Sequence, residues 1–204
     1  MQEDHSGPQS GYARPLELLR TPPPRERADA ARNRAAVLDA AARLFAEHGV
    51  AAVSMDQVAA AAGVGKGTLF RRFGDKAGLA VALLDARERA LQEAILHGPP
   101  PLGPGAPARE RLIAFLGAYL DYLLEHLDLV RMSETSTPGA RYRIGSYRFW
   151  HRHVAIQLAD VPDPEHAAHA LLAALAAEHV SALLPELGEP RLRAGLLRLA
   201  EMFP

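Results

Sequence analysis

The chain has no cysteine, which excludes disulfide bridges, thiolate metal sites and thiol redox sensing together. No run approaches the roughly 18 apolar residues that a membrane span needs, and the polar N-terminus lacks the apolar stretch of a signal peptide. A cytoplasmic protein without a membrane partner is expected. No segment alternates with period two, so strands are not expected. Phosphate-loop and dinucleotide glycine patterns are missing. Ser133, Ser136 and Ser146 stand in no glycine-rich elbow, so nucleophilic catalysis is not expected. His166 and His169 could share a helix face near Glu165, but without a third ligand at fixed spacing no metal site is expected, and no cofactor. Lysine is nearly absent as well: among 23 basic residues the only lysines are Lys66 and Lys76.

What is present is apolar and helical. At 204 residues and 49 % hydrophobic, the chain is long enough for one ordinary domain plus a small one. The net charge of −1 hides an asymmetry. Residues 14–76 hold 11 basic and 7 acidic side chains, a balance of +4, whereas residues 77–204 hold 12 and 15, a balance of −3. Such a division suits a DNA-contacting head on an acidic body.

The stretch MDQVAAAAGVGKGTLFRRFG, residues 55–74, carries that basic end. Met55, Val58, Ala59 and Ala62 fall at i, i+3, i+4 and i+7 and line one helix face, with Ser54 as N-cap. Gly63 breaks the pattern where a tight turn needs positive φ, and Val64, Leu69 and Phe73 resume it on a second short helix. A helix-turn-helix needs a small residue at the helix crossing, a turn glycine and an apolar residue to seat the second helix; Ala59, Gly63 and Leu69 supply them. An ordinary helical hairpin shares that much. The outward face of the second helix separates the two readings, because Lys66, Gly67, Thr68, Phe70, Arg71 and Arg72 contain three cations and no acid. Such a face suits a helix whose N-terminal end enters a major groove.

The run AAGVGKGTLFRRFGDKAGL resembles the signature of the TetR family of bacterial transcriptional regulators. The likeness is specific at Gly63, Val64, Gly67, Thr68, Leu69, Phe73 and Lys76, reaches back through VLDAAARLFAEHG, and covers roughly residues 28 to 80. The chain departs from the family pattern at Gly65, where a capping hydroxyl is common, at Phe70 for a usual tyrosine, and at Arg72 for a usual histidine. The resemblance implies a regulator, most often a repressor, that binds an inverted-repeat operator as a homodimer and is released by a small-molecule effector. The DNA-binding residues it implies, with those of the outward face, are Ser54, Gly65, Lys66, Gly67, Thr68, Phe70, Arg71, Arg72 and Lys76. The alternative, from another class, is a helical ligand-binding or enzymatic protein whose head has lost DNA binding; acids on the 66–72 face would have favoured it.

The organisation expected is all-α: a three-helix DNA-binding head and a helical C-terminal domain for ligand binding and dimerisation. Residues 1–26, rich in proline and glycine, form an extension whose Arg20, Arg25 and Arg27 either reach a minor groove or are simply solvated. The head spans 27–76, with a first helix from about Asp29 to His48. A connecting helix spans 77–97, the segment 98–107 (GPPPLGPGAP) is a flexible joint marking the domain boundary, and the body spans 108–204. In the body, helices are expected over 109–127, about 141–160, 164–184 and 191–203, with a short one near 130–134. Leucines spread around several faces of the helices 164–184 and 191–203, which predicts a four-helix interface with a second copy. Aromatic and polar-tipped side chains concentrate between 119 and 153. Tyr119, Tyr122, Tyr147, Trp150 and His151 are the expected wall of an effector pocket.

Overall fold

A computed structural model of the chain describes the backbone of residues 25–203 and side chains from residue 29 onward. Most of the 1–26 extension, with Arg20, and the side chains of Arg25 and Arg27 therefore lie outside the described residues. Every regular element among the described residues is helical, and no single helix there is long and apolar enough to cross a membrane.

The head is α1 (Arg25–His48), α2 (Met55–Ala61) and α3 (Lys66–Phe73). Val37, Ala41 and Phe45 of α1 close on Val58 and Ala59 of α2, on Leu69 of α3 and on Leu79 of the following helix. Ser54 starts α2 through a capping box. Its hydroxyl accepts from the Gln57 N–H, while the Gln57 side chain accepts from the Ser54 N–H at 2.7 Å. Gly63 turns the chain at φ 66°, which lets the Val64 N–H reach back to the Ala59 carbonyl at 3.1 Å.

The connecting helix α4 (Lys76–His97) belongs to both halves of the molecule. Asp75 caps it by accepting from the Gly78 N–H at 2.8 Å. Only glycine fits at position 78, because a Cβ there would stand 2.0 Å from the Phe73 carbonyl oxygen. Leu79 enters the head core, whereas Leu84 and Ile95 enter the larger core of the body. The segment 98–107, expected as a joint, therefore follows a helix whose end is already packed in the body core. That segment connects α4 to α5 (Ala108–Glu125) alongside the body core, on which Leu102 packs. It is also folded as a turn: the Gly103 N–H donates to the Pro99 carbonyl at 3.0 Å.

The body continues with α6 (Leu127–Thr135), α7 (Ala140–Arg143), α8 (Gly145–Gln157), α9 (Pro164–Ala173) and α10 (Ala177–Glu201). Two expected spans are corrected here. The helix expected over about 141–160 is two helices separated by Ile144 in extended conformation. The helix expected over 164–184 stops at Ala173 and restarts at Ala177, in a run of alanine and leucine that offers no local breaker. Tertiary partners supply the reason. Arg141, paired with Glu134, donates to the Leu172 carbonyl at 2.8 Å, and Glu134 accepts from the Ala177 N–H at 2.8 Å, so one buried ion pair satisfies both ends of the break. The interruption expected at Pro185, Gly188 and Pro190 is present: Gly188 adopts a non-helical φ of 71° and ψ of 158°, so α10 is two helices joined across a kink.

The terminal helices are also less in need of a partner than their leucine content suggests. Leu171, Leu172, Leu175 and Val180 are 0–1 % exposed within the single chain. What they leave for a second copy is a half-buried set, Leu183, Leu184, Leu192, Leu197 and Leu199, ending in the exposed Met202.

Candidate functional site

The second helix of the expected helix-turn-helix is α3, held from behind by Leu69, which is buried, and by the half-buried Val64 and Phe73. Its start is chemically open. Gly65 occupies the N-cap without a side-chain hydrogen bond, and the first backbone bonds back to it come from Thr68 and Leu69. The N–H groups of Lys66 and Gly67 are thus available at the positive end of the helix. A Cβ built at Gly67 meets nothing within 4 Å. Bare backbone at a helix N-terminus suits approach by a phosphate.

The cations of this face are not equivalent. Lys66 lies 2.8 Å from the Asp56 carboxylate of α2, both well exposed, with its ammonium 5.8 Å from the Phe70 ring centroid. Phe70 is 39 % exposed on the same face. Arg72 donates to the Ala30 carbonyl at 3.0 Å and so ties α3 to α1. Arg71 is exposed and has no hydrogen bond or ion pair among the described residues. Thr68 is half-buried and, with Arg71 and Arg72, lines a cleft between α1 and α3.

Lys76 requires a correction. Its ammonium donates to the carbonyls of Val50, Ala51 and Val53 at 2.8, 3.1 and 2.9 Å. All three of its protons have internal acceptors, so Lys76 fastens the start of α4 to the loop between α1 and α2 rather than presenting a charge to phosphate. The lysine is explained by the same geometry, since a compact ammonium converges on three carbonyls where a planar guanidinium would not.

The five expected pocket residues are brought together only in part. Tyr119, Tyr122 and Trp150 pack in the body core with ring centroids 5.6–5.7 Å apart along the chain of contacts, and Phe115 closes the group. Burial pushes the Tyr147 hydroxyl up to about 12 and raises those of Tyr119 and Tyr122 further still. Tyr147 and His151 belong to a second cluster on α8 and α9, where the Tyr147 hydroxyl lies 2.7 Å from His169 Nδ1 and the His151 and His169 rings stack at 3.8 Å. None of the five lines either of the two clefts that border the body core. Their own side chains fill the space between them.

The structure adds polar groups that the sequence pattern does not mark. Glu88 on α4 accepts from the hydroxyls of Tyr122 at 3.1 Å and Ser146 at 3.0 Å, and burial raises its carboxyl above the usual range. Glu134 is likewise raised by burial, against the pull of Arg141. His126 and His153 each keep a buried Nε2 without a partner, and Arg111 keeps a buried Nε. A lone glutamate or arginine in an amphipathic helix gives no sign of such burial. The one available signal is that Glu88 interrupts the apolar stripe of Leu84, Leu91 and Ile95 on α4.

Known proteins share these features. Residues 37–83 match the model of the bacterial regulatory proteins of the tetR family. HTH-type transcriptional regulators from Staphylococcus aureus strains, USA300 and N315 among them, are 45 % identical over 53 residues, which is 26 % of this chain and 29 % of theirs. Among solved structures, a TetR-family regulator from Pectobacterium atrosepticum is 24 % identical with a TM-score of 0.61, over 86 % of this chain and 94 % of that one. A TetR-family regulator from Rhodococcus sp. is 22 % identical with a TM-score of 0.59, over 85 % of this chain and 98 % of that one. A regulator from Saccharomonospora viridis, solved in complex with choline, is 21 % identical with a TM-score of 0.54, over 83 % and 94 %. The head is thus matched by the tetR family model, and head and body together share the fold of these solved regulators.

Proposed function

We propose that this regulator binds an inverted-repeat operator as a homodimer, represses from it in the cytoplasm, and is released by a small molecule bound in the body, with no catalytic activity of its own. The observation that carries the reading is α3: an uncapped, glycine-lined N-terminus beside Lys66, Phe70 and Arg71, with no acid anywhere on the helix. DNA contact is assigned to Ser54, Gly65, Lys66, Gly67, Thr68, Phe70, Arg71 and Arg72, with Lys76 holding the head together behind them. The head is residues 27–76, the connecting helix 77–97, the turn 98–107 leads into the body of 108–204, and the body carries the effector site and, through 164–184 and 191–203, the dimer contacts. Choline in the Saccharomonospora viridis structure supports a small-molecule effector in general, not choline in particular.

Selection of genomic fragments by the purified protein tests the reading. Enriched sequences with two half-sites about 34–36 Å apart, or a multiple of that, are the expected outcome. Arg71→Ala should weaken binding to all sequences alike and lower the salt slope by about one, whereas Thr68→Ala should alter which sequence is preferred. Enriched DNA without dyad symmetry, or two variants indistinguishable from the parent, would place the interface elsewhere.

A further inference from the structure

At the end of the body away from the head, a cleft of about 350 Å³ opens between the last turn of α4, the 98–107 turn, the start of α5 and the face of α8. Its walls are Ile95, Leu96, Pro104, Phe149 and Ile156, with Arg111, Arg152, His153 and Gln157, and no carboxylate. Two of these polar side chains have buried nitrogens without partners: Arg111 Nε and His153 Nε2. His153 is only 6 % exposed, and its ring is wedged edge-on against Phe115 at 5.0 Å between centroids. Arg111 is anchored on its other side, donating to the Ile95 carbonyl at 3.2 Å. Arg152 at the rim is already engaged with Glu165 at 3.3 Å.

Unpaired buried polar nitrogens are costly, and these two, on side chains that line one cleft, have no partner among the described residues. A guanidinium N–H is always a donor, and a neutral imidazole donates from Nε2 when that nitrogen holds the proton. Beside them, Leu96 and Ile156 are 46 % and 52 % exposed at the mouth, an apolar surface facing water. We propose that this cleft binds a small organic carboxylate, its oxygens accepting from the terminal guanidinium N–H groups of Arg111 beside the His153 ring and its short aliphatic or aromatic part covering Leu96, Phe149 and Ile156. The absence of acids in the lining selects an anion over a cation, and the volume admits a compact molecule. Burial and the Arg111 charge depress the His153 imidazole to about 4, so it is neutral in the empty cleft and a bound carboxylate would raise it.

Binding here is a property of the protein alone. Its consequence for DNA release rests on the regulator reading above, so binding is measured without DNA. Hexanoate, hexanol and hexylamine are titrated by calorimetry into the parent, Arg111→Gln and Ile156→Asp, with folding checked by circular dichroism. Hexanoate should bind one per chain, at least about tenfold more tightly than hexanol, which lacks the charge-assisted hydrogen bonds, and hexylamine should not bind. Both substitutions should weaken hexanoate at least about tenfold. Ile156→Asp sits at the exposed mouth, so it remains informative if loss of the Arg111 anchor impairs folding. Hexanoate binding no tighter than hexanol, binding unchanged in Ile156→Asp, or no binding of hexanoate at millimolar concentration would each overturn the proposal. Genomic DNA selected by the protein in the absence of any carboxylate is unaffected by these results, which separates failure of this site from failure of the regulator reading.

Discussion

Head and body are both helical, yet they are held together in different ways. In the head, polar side chains act mostly as caps or surface ties: Ser54 caps α2, Asp75 caps α4, Lys66 meets Asp56 across an exposed turn, and the longer reaches of Arg72 and Lys76 end on backbone carbonyls rather than on buried charges. The body uses its polar groups in its interior and over long separations. Arg141 reaches the Leu172 carbonyl 31 positions away, Glu134 reaches the Ala177 N–H 43 positions away, and Glu88 collects hydroxyls from α5 and α8. Surface contacts leave the charges of the head exchangeable, whereas the body is tied through buried contacts that depend on one another.

The largest expected effect falls on the body. Arg141 and Glu134 are both buried, and removing one leaves the other as an uncompensated charge, a loss of about 3–5 kcal/mol. Glu134→Ala should also free the Ala177 N–H and let the α9–α10 break fray. Urea unfolding measures the loss, and a value no larger than that of an exposed pair would remove the contrast between the two halves.

A second effect, read by pH, also falls on the body. His153 has a folded pKa depressed to about 4, below its unfolded value of 6.5. Between those values the unfolded chain takes up a proton that the folded one refuses, so the contribution is fully present above the unfolded value and is lost as the pH falls through that window. The shift corresponds to about 3 kcal/mol. His153→Phe should flatten the dependence of stability on pH between about 6.5 and 4.

This difference in wiring also explains which features are legible in the sequence. The head is legible because its determinants lie within a few residues of one another. Ser54 and Gln57 form their capping box three positions apart, and Ala59, Gly63 and Leu69 keep their spacing in the fold. Even there, the role of Lys76 is hidden, since its three acceptors lie 23–26 positions back in a loop with no pattern of its own. In the body, helical periodicity marks Leu112, Phe115, Leu116 and Tyr119 as inward, and all four are buried. It cannot show the break after Ala173, because alanine and leucine favour helix and only Arg141 and Glu134, from other elements, make the interruption stable. Nor can it tell a core ring from a pocket ring, as Trp150 illustrates.

Smaller effects sharpen the head's side of the contrast. Ser54→Ala removes the hydroxyl that caps α2, a loss of about 1 kcal/mol in thermal or urea unfolding. DNA affinity should fall with it by more than stability alone explains if Ser54 also meets phosphate, and by no more if it only holds α2.

The smallest effect on stability comes with an opposite sign for DNA. Asp56 is the only acid paired with the recognition helix among the described residues, holding Lys66 at 2.8 Å while both side chains stay about two-thirds exposed, at 61 % and 64 %. An ion pair so open to water contributes about 0–1 kcal/mol, and less as salt rises. On DNA, however, Lys66 must leave Asp56 to reach a phosphate, and the carboxylate remains nearby to repel it. Asp56→Asn should therefore leave the unfolding midpoint almost unchanged and tighten binding to operator and nonspecific DNA alike, most clearly at low ionic strength. Unchanged affinity would mean that Lys66 stays with Asp56 in the complex, leaving Arg71 and the open N-terminus of α3 to hold the backbone.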